Sequence, residues 1–298
     1  MINPVPRGSK VGIVSPSSAL DSPEDIRDGL RWLESCGYRV VLGTHVYDRL
    51  THMAGTPEQQ AEDLMRFFAD PEIKAVFAAA GGFGAQYLLP LLDYDLIRKN
   101  PKPLIGFSDT TALQAGIFAR TGNVCYAGIL LKYDFGRGAS VHPYTAESFL
   151  RAMDGRFEDI RGGTVVNPGT AEGRLVGTNL CVLQSLAGTP YYPDLTDTIL
   201  LLEDVDEKSY RVERMLLQLR QQPSFARVRG VVFGQFTDIR LNHPDDKDVN
   251  RVIDEFAAAV KIPVIRNFPF GHVRARKTVP LGARVTLDAG SCILKIKD

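Results

Sequence analysis

The sequence predicts an α/β fold: a parallel-sheet domain with crossover helices in the first half of the chain, joined to a smaller, β-rich domain in the second. Three observations carry this expectation. Short apolar runs alternate with helical patterns over roughly the first 120 residues. Those runs stop at Gly, Ser or Pro, where turns begin. Beyond residue 170 the apolar runs continue while helical patterns thin out.

The first strand is the apolar run 11–14, Val-Gly-Ile-Val. Ser22-Pro23-Glu24-Asp25 reads as an N-cap with proline at the first helical position and acids in the first turn. Ile26, Leu30 and Leu33 follow at helical spacing, and Gly37 ends the helix. Residues 38–42 form a second strand, and Thr56-Pro57-Glu58 starts a helix that carries Leu64, Phe67 and Phe68. Residues 73–80 form a buried strand running into Gly81-Gly82-Phe83-Gly84, with a helix from about Ala85. Residues 104–107 form another strand, which stops at Ser108 before a helical stretch at 110–120. Both sharp turns therefore lie at strand C-terminal ends, where open α/β sheets bind ligands.

Between about 140 and 170 the pattern loosens, with Gly155, Gly162, Gly163, Pro168 and Gly169. This divides the chain into a first domain at 1–150, a linker at 151–172 and a second domain at 173–298. Apolar segments follow at 198–202, 228–233, 263–265, 283–287 and 292–296, with one clear helix at about 209–221.

The 298 residues include 44% hydrophobic and 23% charged residues, enough for one large core or two ordinary ones. Lys plus Arg equals Asp plus Glu at 35 each, so no overall field draws nucleic acid or an anionic membrane, and a small-molecule partner is expected. The four cysteines are scattered, without metal-ligand spacing, and read as buried thiols. Residues 1–10 lack the apolar core of a signal peptide, and no run approaches the roughly 18 apolar residues of a membrane span. The cytoplasm is the expected compartment.

Gly106-Phe107-Ser108-Asp109-Thr110 has the layout of a nucleophile elbow, with Thr110 where the usual motif has its second glycine. Ser108 could equally cap the helix that follows. The turn 81–84 could bring backbone N–H groups to a phosphate or an oxyanion, or be a tight structural turn. It matches neither dinucleotide-binding nor P-loop spacing. A serine nucleophile needs a base, and the chain has five histidines. His45, His52, His142 and His243 sit in polar segments and read as solvated. His272 follows the apolar Val264-Ile265 and the turn 267–271, which places it just beyond a buried strand. For the acid, Ile199-Leu200-Leu201-Leu202 delivers Glu203 to a strand end, with Asp204, Asp206 and Glu207 as competitors. Asp109, beside Ser108 at a helix start, reads as a partner of the helix dipole whose N–H faces the site.

Together these segments resemble the LD-carboxypeptidase (muramoyltetrapeptide carboxypeptidase) family of serine peptidases, which includes microcin-immunity peptidases. The likeness runs through 11–17, 54–56, 70–75, 81–84, 88–90, 92–93, 100–102, 106–109, 111–113, Asn179-Leu180, 186–190, 202–205, Glu207, Tyr210-Arg211, 214–216 and Gly271-His272. By motif, the resemblance implies a triad of Ser108, Glu203 and His272, with an oxyanion hole from the Gly82 (or Gly81) and Asp109 amides. It implies an α/β first domain like class I glutamine amidotransferases, no metal or cofactor, and a homodimer. The implied reaction removes the terminal D-Ala of a murein tetrapeptide during peptidoglycan recycling. Gly81 and Phe83 are placed beside the substrate. Arg274, Arg276 or Lys277 would supply a cation for its terminal carboxylate, with Arg274 preferred. The chain departs from the family at Ala80, Tyr87 and Gln60, where arginine is frequent, and at Thr178, where glycine is usual; the arginine losses bear on substrate choice. Two alternatives follow: a peptidase that cleaves a peptidyl-nucleotide acyl bond, and a catalytically silent protein that binds cell-wall fragments.

Overall fold

The structure, a computed structural model, describes residues 2–297. The first half alternates strands and helices. Its strands are Lys10–Val14 (β1), Arg39–Leu42 (β2), Ile73–Ala78 (β3), Leu104–Gly106 (β4) and Cys125–Ala127 (β5). Between and after them lie Glu24–Ser35 (α1), Pro57–Ala69 (α2), Ala85–Leu88 (α3), Tyr94–Lys99 (α4), Thr111–Thr121 (α5), Leu131–Phe135 (α6) and Pro143–Met153 (α7). The second half begins with Ile160–Arg161 (β6), Thr164–Asn167 (β7), Thr170–Asn179 (β8), Leu180–Ser185 (α8) and Thr198–Val205 (β9). It continues with Ser209–Arg220 (α9), Gly230–Thr237 (β10), Val249–Val260 (α10) and Val264–Arg266 (β11). Val279–Leu281 (β12), Arg284–Asp288 (β13) and Ile293–Ile296 (β14) complete it.

Two sheets result, and the predicted α/β class holds. The first has the order β12-β5-β4-β3-β1-β2, in which β1 to β5 run parallel and β12 joins β5 antiparallel. The second has the order β6-β14-β13-β8-β9-β10-β11-β7, with a parallel centre of β8 to β11 and antiparallel flanks. Parallel strands buried on both faces read as continuous apolar runs, which is why Ile199 to Leu202 in β9 is wholly buried.

Helix starts follow local chemistry. Thr56 accepts from the Gln59 amide while the Gln59 side chain accepts from the Thr56 amide, a full capping box before Pro57. α1 departs from the sequence expectation: it begins at Glu24 after Pro23, and no side chain caps it. The stretch 151–172 carries the end of α7 together with β6, β7 and the start of β8. A second long helix in the later half, α10, joins the one expected. The cysteines are free as expected, but only Cys125 is fully buried and Cys181 is exposed.

The sheets share apolar material. Ala78, Phe107, Ala127 and Leu130 from the first half pack in one cluster with Leu175, Ile199, Leu201, Val232 and Ile265 from the second. The C-terminal ends of β3, β4, β9 and β10 thereby converge on one region. No helix among the described residues is long and apolar enough to cross a membrane.

Candidate active site

β4 ends at Gly106, Phe107 stays extended, and Ser108 turns to φ +62°. That left-handed conformation costs a non-glycine residue about 1–2 kcal/mol and aims its side chain out of the turn. Gln114 in α5 holds the strand ends beneath it, donating to the Gly106 and Tyr126 carbonyls at 3.1 Å each.

Glu203 is the sixth residue of β9 and has no exposed surface. His272 follows Gly271, which bridges to Gln235 just beyond Gly234 in β10. Gly271 has φ +129°, and a Cβ there would stand 2.8 Å from the Gln235 carbonyl oxygen and 3.3 Å from the Glu203 Cβ. Only glycine admits so close an approach. The imidazole is then fixed at both ends: Nδ1 lies 2.7 Å from Glu203 Oε2, and Nε2 lies 3.0 Å from Ser108 Oγ. With Glu203 accepting from Nδ1–H, the Nε2 lone pair faces the serine hydroxyl. Two aromatic rings wall the imidazole, Phe107 at 5.0 Å and Tyr133 at 6.0 Å between centroids.

Asn179 ends β8 opposite Glu203, and its Nδ2 donates to Glu203 Oε1 at 3.4 Å and Asp204 Oδ1 at 3.1 Å. Asp204, the sequence competitor for the acid, faces the Cys181 and Val205 amides instead of the histidine. Burial, reinforced by neighbouring Glu203, pushes its carboxyl up to about 7.

The glycine turn closes the other side. A Cβ on Gly81 would sit 3.2 Å from Ser108 Oγ, so this backbone lies directly against the hydroxyl. Gly82 has φ +112°, and a Cβ there would collide with Ser18 Oγ at 2.1 Å. The same Ser18 hydroxyl accepts from the Phe83 amide at 3.1 Å. The Asp109 side chain accepts from the Ala85 amide at 2.9 Å, tying the nucleophile-side turn to the glycine turn, and burial raises its carboxyl above the usual range. Among the described residues, the Gly82 and Asp109 amides find no acceptor in the protein. Two unpaired N–H groups beside a serine hydroxyl can receive a developing oxyanion.

A cavity of about 370 Å³ opens over Ser108, lined by Gly81, Gly82, Phe107, Leu130, Lys132 and Tyr133 among others. Phe83, expected beside the substrate, does not line this cavity; it is 53% exposed, with its ring against His52 and Tyr87. Arg274 is exposed and donates to the Ser140 carbonyl, away from the cavity lining. Arg276 is fully buried, with Nη2 on Asp134, Nε on the Gly128 carbonyl at 2.7 Å and Nη1 on the Val273 carbonyl at 2.8 Å. That burial keeps it from receiving a ligand. Lys277 lies over the Tyr144 ring. Gln60, where arginine is frequent, is buried and donates to the Ser15 and Ser17 carbonyls. Lys132 went unseen as a site residue, and Arg276, a candidate for the substrate carboxylate, went unseen as the partner of Asp134, because only the fold brings 128–134 beside 272–276. No group of three or more His, Cys, Asp or Glu side chains among the described residues is placed to hold a metal.

The fold and this contact chain define a class: two-sheet α/β proteins in which a serine from one sheet meets a histidine and a carboxyl group from the other. Family models for the LD-carboxypeptidase N-terminal and C-terminal domains match residues 11–128 and 172–287. A probable murein peptide carboxypeptidase of Bacillus subtilis is 33% identical, over 95% of this chain and 89% of that one. The muramoyltetrapeptide carboxypeptidase of Oxalobacter formigenes superposes with a TM-score of 0.88 at 30% identity, over 97% of this chain and 99% of that one. The microcin C7 self-immunity protein MccF of Escherichia coli is 27% identical over 96% of this chain and 92% of its own length. Its complex with aspartyl sulfamoyl adenosine superposes with a TM-score of 0.91 at 25% identity, over 100% of this chain and 98% of that one. The chain belongs to the LD-carboxypeptidase family of peptidases.

Proposed function

We propose that the protein is a serine peptidase that hydrolyses the L–D amide bond of murein tetrapeptides and releases their terminal D-Ala. The observation that carries this is the unbroken line Ser108 Oγ, His272 Nε2, His272 Nδ1, Glu203 Oε2, with contacts of 3.0 and 2.7 Å. His272 takes the Ser108 proton as Oγ attacks the carbonyl carbon, and Glu203 stabilises the imidazolium that forms. The Gly82 and Asp109 amides receive the oxyanion, and loss of one such donor costs on the order of a hundredfold or more in rate. Collapse expels the D-Ala amine, which takes the proton from His272 and leaves an acyl-Ser108 ester. Water then loses a proton to His272 and attacks the ester, and His272 returns that proton to Oγ as the ester bond breaks, which frees Ser108 and the shortened peptide acid.

Residues 1–150 would thus bring the nucleophile and 173–298 the base and acid. Recycled murein peptides place the enzyme in the cytoplasm. The similarity to MccF, whose complexes hold aminoacyl sulfamoyl nucleosides, supports a second substrate reading, a peptidyl-nucleotide acyl bond. Incubation with a murein tetrapeptide and, separately, with a peptidyl-nucleotide analogue distinguishes the two. D-Ala release from the first is the expected result, abolished in Ser108→Ala and in His272→Ala. Cleavage of the nucleotide analogue alone would overturn the murein assignment. A fluorophosphonate that fails to label Ser108 counts against any serine mechanism.

A further inference from the structure

A carboxypeptidase must hold the free carboxylate at the end of its substrate, and the basic residues just after His272 do not line the cavity to do so. Arg276 spends its guanidinium on Asp134 and two backbone carbonyls, Arg274 faces the Ser140 carbonyl, and Lys277 lies over Tyr144. Among the described residues, the one lysine or arginine that lines the cavity over Ser108 is Lys132, in α6. The remaining lining is mostly apolar or backbone, including Phe107, Leu130 and Gly81. A carboxylate entering such a space gives up water and requires a charged donor in return.

Lys132 is held ready for that contact. Its backbone N–H donates to the Ala79 carbonyl at 2.8 Å, which anchors it beside the exit of β3, two residues before Gly81. Its Nζ lies 2.8 Å from Asp25 Oδ2 and 2.9 Å from Asp21 Oδ2, while the side chain keeps 31% of its surface exposed. An ammonium has three N–H donors, and two carboxylates occupy two of them. Asp25 is itself fixed, since its Oδ2 also accepts from the Asp21 amide at 2.8 Å. Arg49 pairs with Asp21 at 2.7 Å, so the four charges Lys132, Arg49, Asp21 and Asp25 sum to zero. The cluster therefore acts through one positioned donor and not through a net field.

Resting on the peptidase reading above, we propose that Lys132 is the subsite for the substrate's terminal carboxylate, and so the residue that makes this chain an exopeptidase. The chemical class it selects is a peptide ending in a free α-carboxylate, as opposed to an amide, an ester or a continuing chain.

The test compares two substrates, an L–D tetrapeptide ending in D-alanine and the same peptide ending in D-alaninamide, on the wild type and on Lys132→Met, Lys132→Gln and Lys132→Arg. The wild type is expected to favour the acid in KM by about tenfold, the scale of one charge-assisted hydrogen bond. Lys132→Met and Lys132→Gln erase that preference, and Lys132→Arg keeps part of it. Fluorophosphonate labelling of Ser108 in each variant verifies that the site is still formed. A wild type that treats acid and amide alike, or a Lys132→Met protein that still prefers the acid, overturns the assignment to Lys132 and leaves the peptidase reading standing. A wild type that cleaves neither peptide overturns the peptidase reading, and the assignment falls with it.

Discussion

Ser108 pays for its exposure in backbone conformation. Changing it to glycine relieves a left-handed strain of about 1–2 kcal/mol but adds about 0.5–1 kcal/mol of unfolded-chain entropy. Ser108→Gly is accordingly expected to unfold in urea within about 1 kcal/mol of the wild type, while, on the proposed mechanism, it should release no D-Ala. A much larger loss would mean that the hydroxyl's contact with His272 props up the fold. Asp204 supplies a pH dependence whose sign is fixed by its raised carboxyl. Below 3.8, its ordinary value, folded and unfolded chains are both protonated there and the residue contributes nothing. Between 3.8 and about 7 the unfolded chain ionises first, so stability falls as pH rises, and above about 7 the full cost is present. Asp204→Asn removes that cost, so the stability of the variant relative to wild type should grow from about pH 4 to about pH 8. A difference that stays flat across thermal melts in that range would refute a raised Asp204.

Among the elements, the segment 271–277 carries His272 across to the first half, and Arg276 pins it there. Its guanidinium ties the Val273 carbonyl to Gly128 and Asp134 while lying 4.2 Å over the Phe107 ring that walls His272. Arg276→Met leaves Asp134 buried and unpaired, which costs about 3–5 kcal/mol. Replacing both partners, Arg276→Met with Asp134→Leu, should recover most of that stability in urea denaturation. The hydrolysis rate should stay low, because the tie to Val273 is still missing. If rate returns together with stability, Arg276 serves the fold alone. None of this network was legible in the sequence, since partners 142 positions apart leave no local pattern. What was legible followed one rule: buried parallel strands are short unbroken apolar runs. The apolar runs 11–14 in β1, 75–80 from β3 onward, 104–107 from β4 onward and 199–202 in β9 obey it, and so the turns at 81–84 and 108 and the strand end at Glu203 could be located. β8 disobeys it, because Thr170 to Asn179 includes Glu172, Arg174 and two glycines. β5 and β12 are three residues long, below the reach of any periodicity, and β12 contains a proline.

For the molecule as a whole, the site exists only where the two halves meet, and the apolar cluster that joins them decides whether they can part. Because Phe107 and Leu130 share that cluster with Ile199, Leu201 and Ile265, the halves should unfold as one unit. The chain's single tryptophan, Trp32, lies in α1 against Phe135 and Phe149 and reports on the first half alone. Its fluorescence, the far-ultraviolet circular dichroism and the loss of activity are expected to share one melting temperature. A tryptophan transition separated from the others by several degrees would reveal independent halves.

The edge strand β12 also sets a schedule for synthesis. The strands β1 to β5 emerge before the second half and could pair among themselves, but the free edge of β5 waits for Val279 to Leu281, synthesised after every strand from β6 to β11. His272 emerges only shortly before that strand. A nascent chain therefore holds Ser108 through the synthesis of the central strands of both sheets without the His272 ring beside it, and one short segment, 272–281, both covers the open edge of β5 and supplies that imidazole.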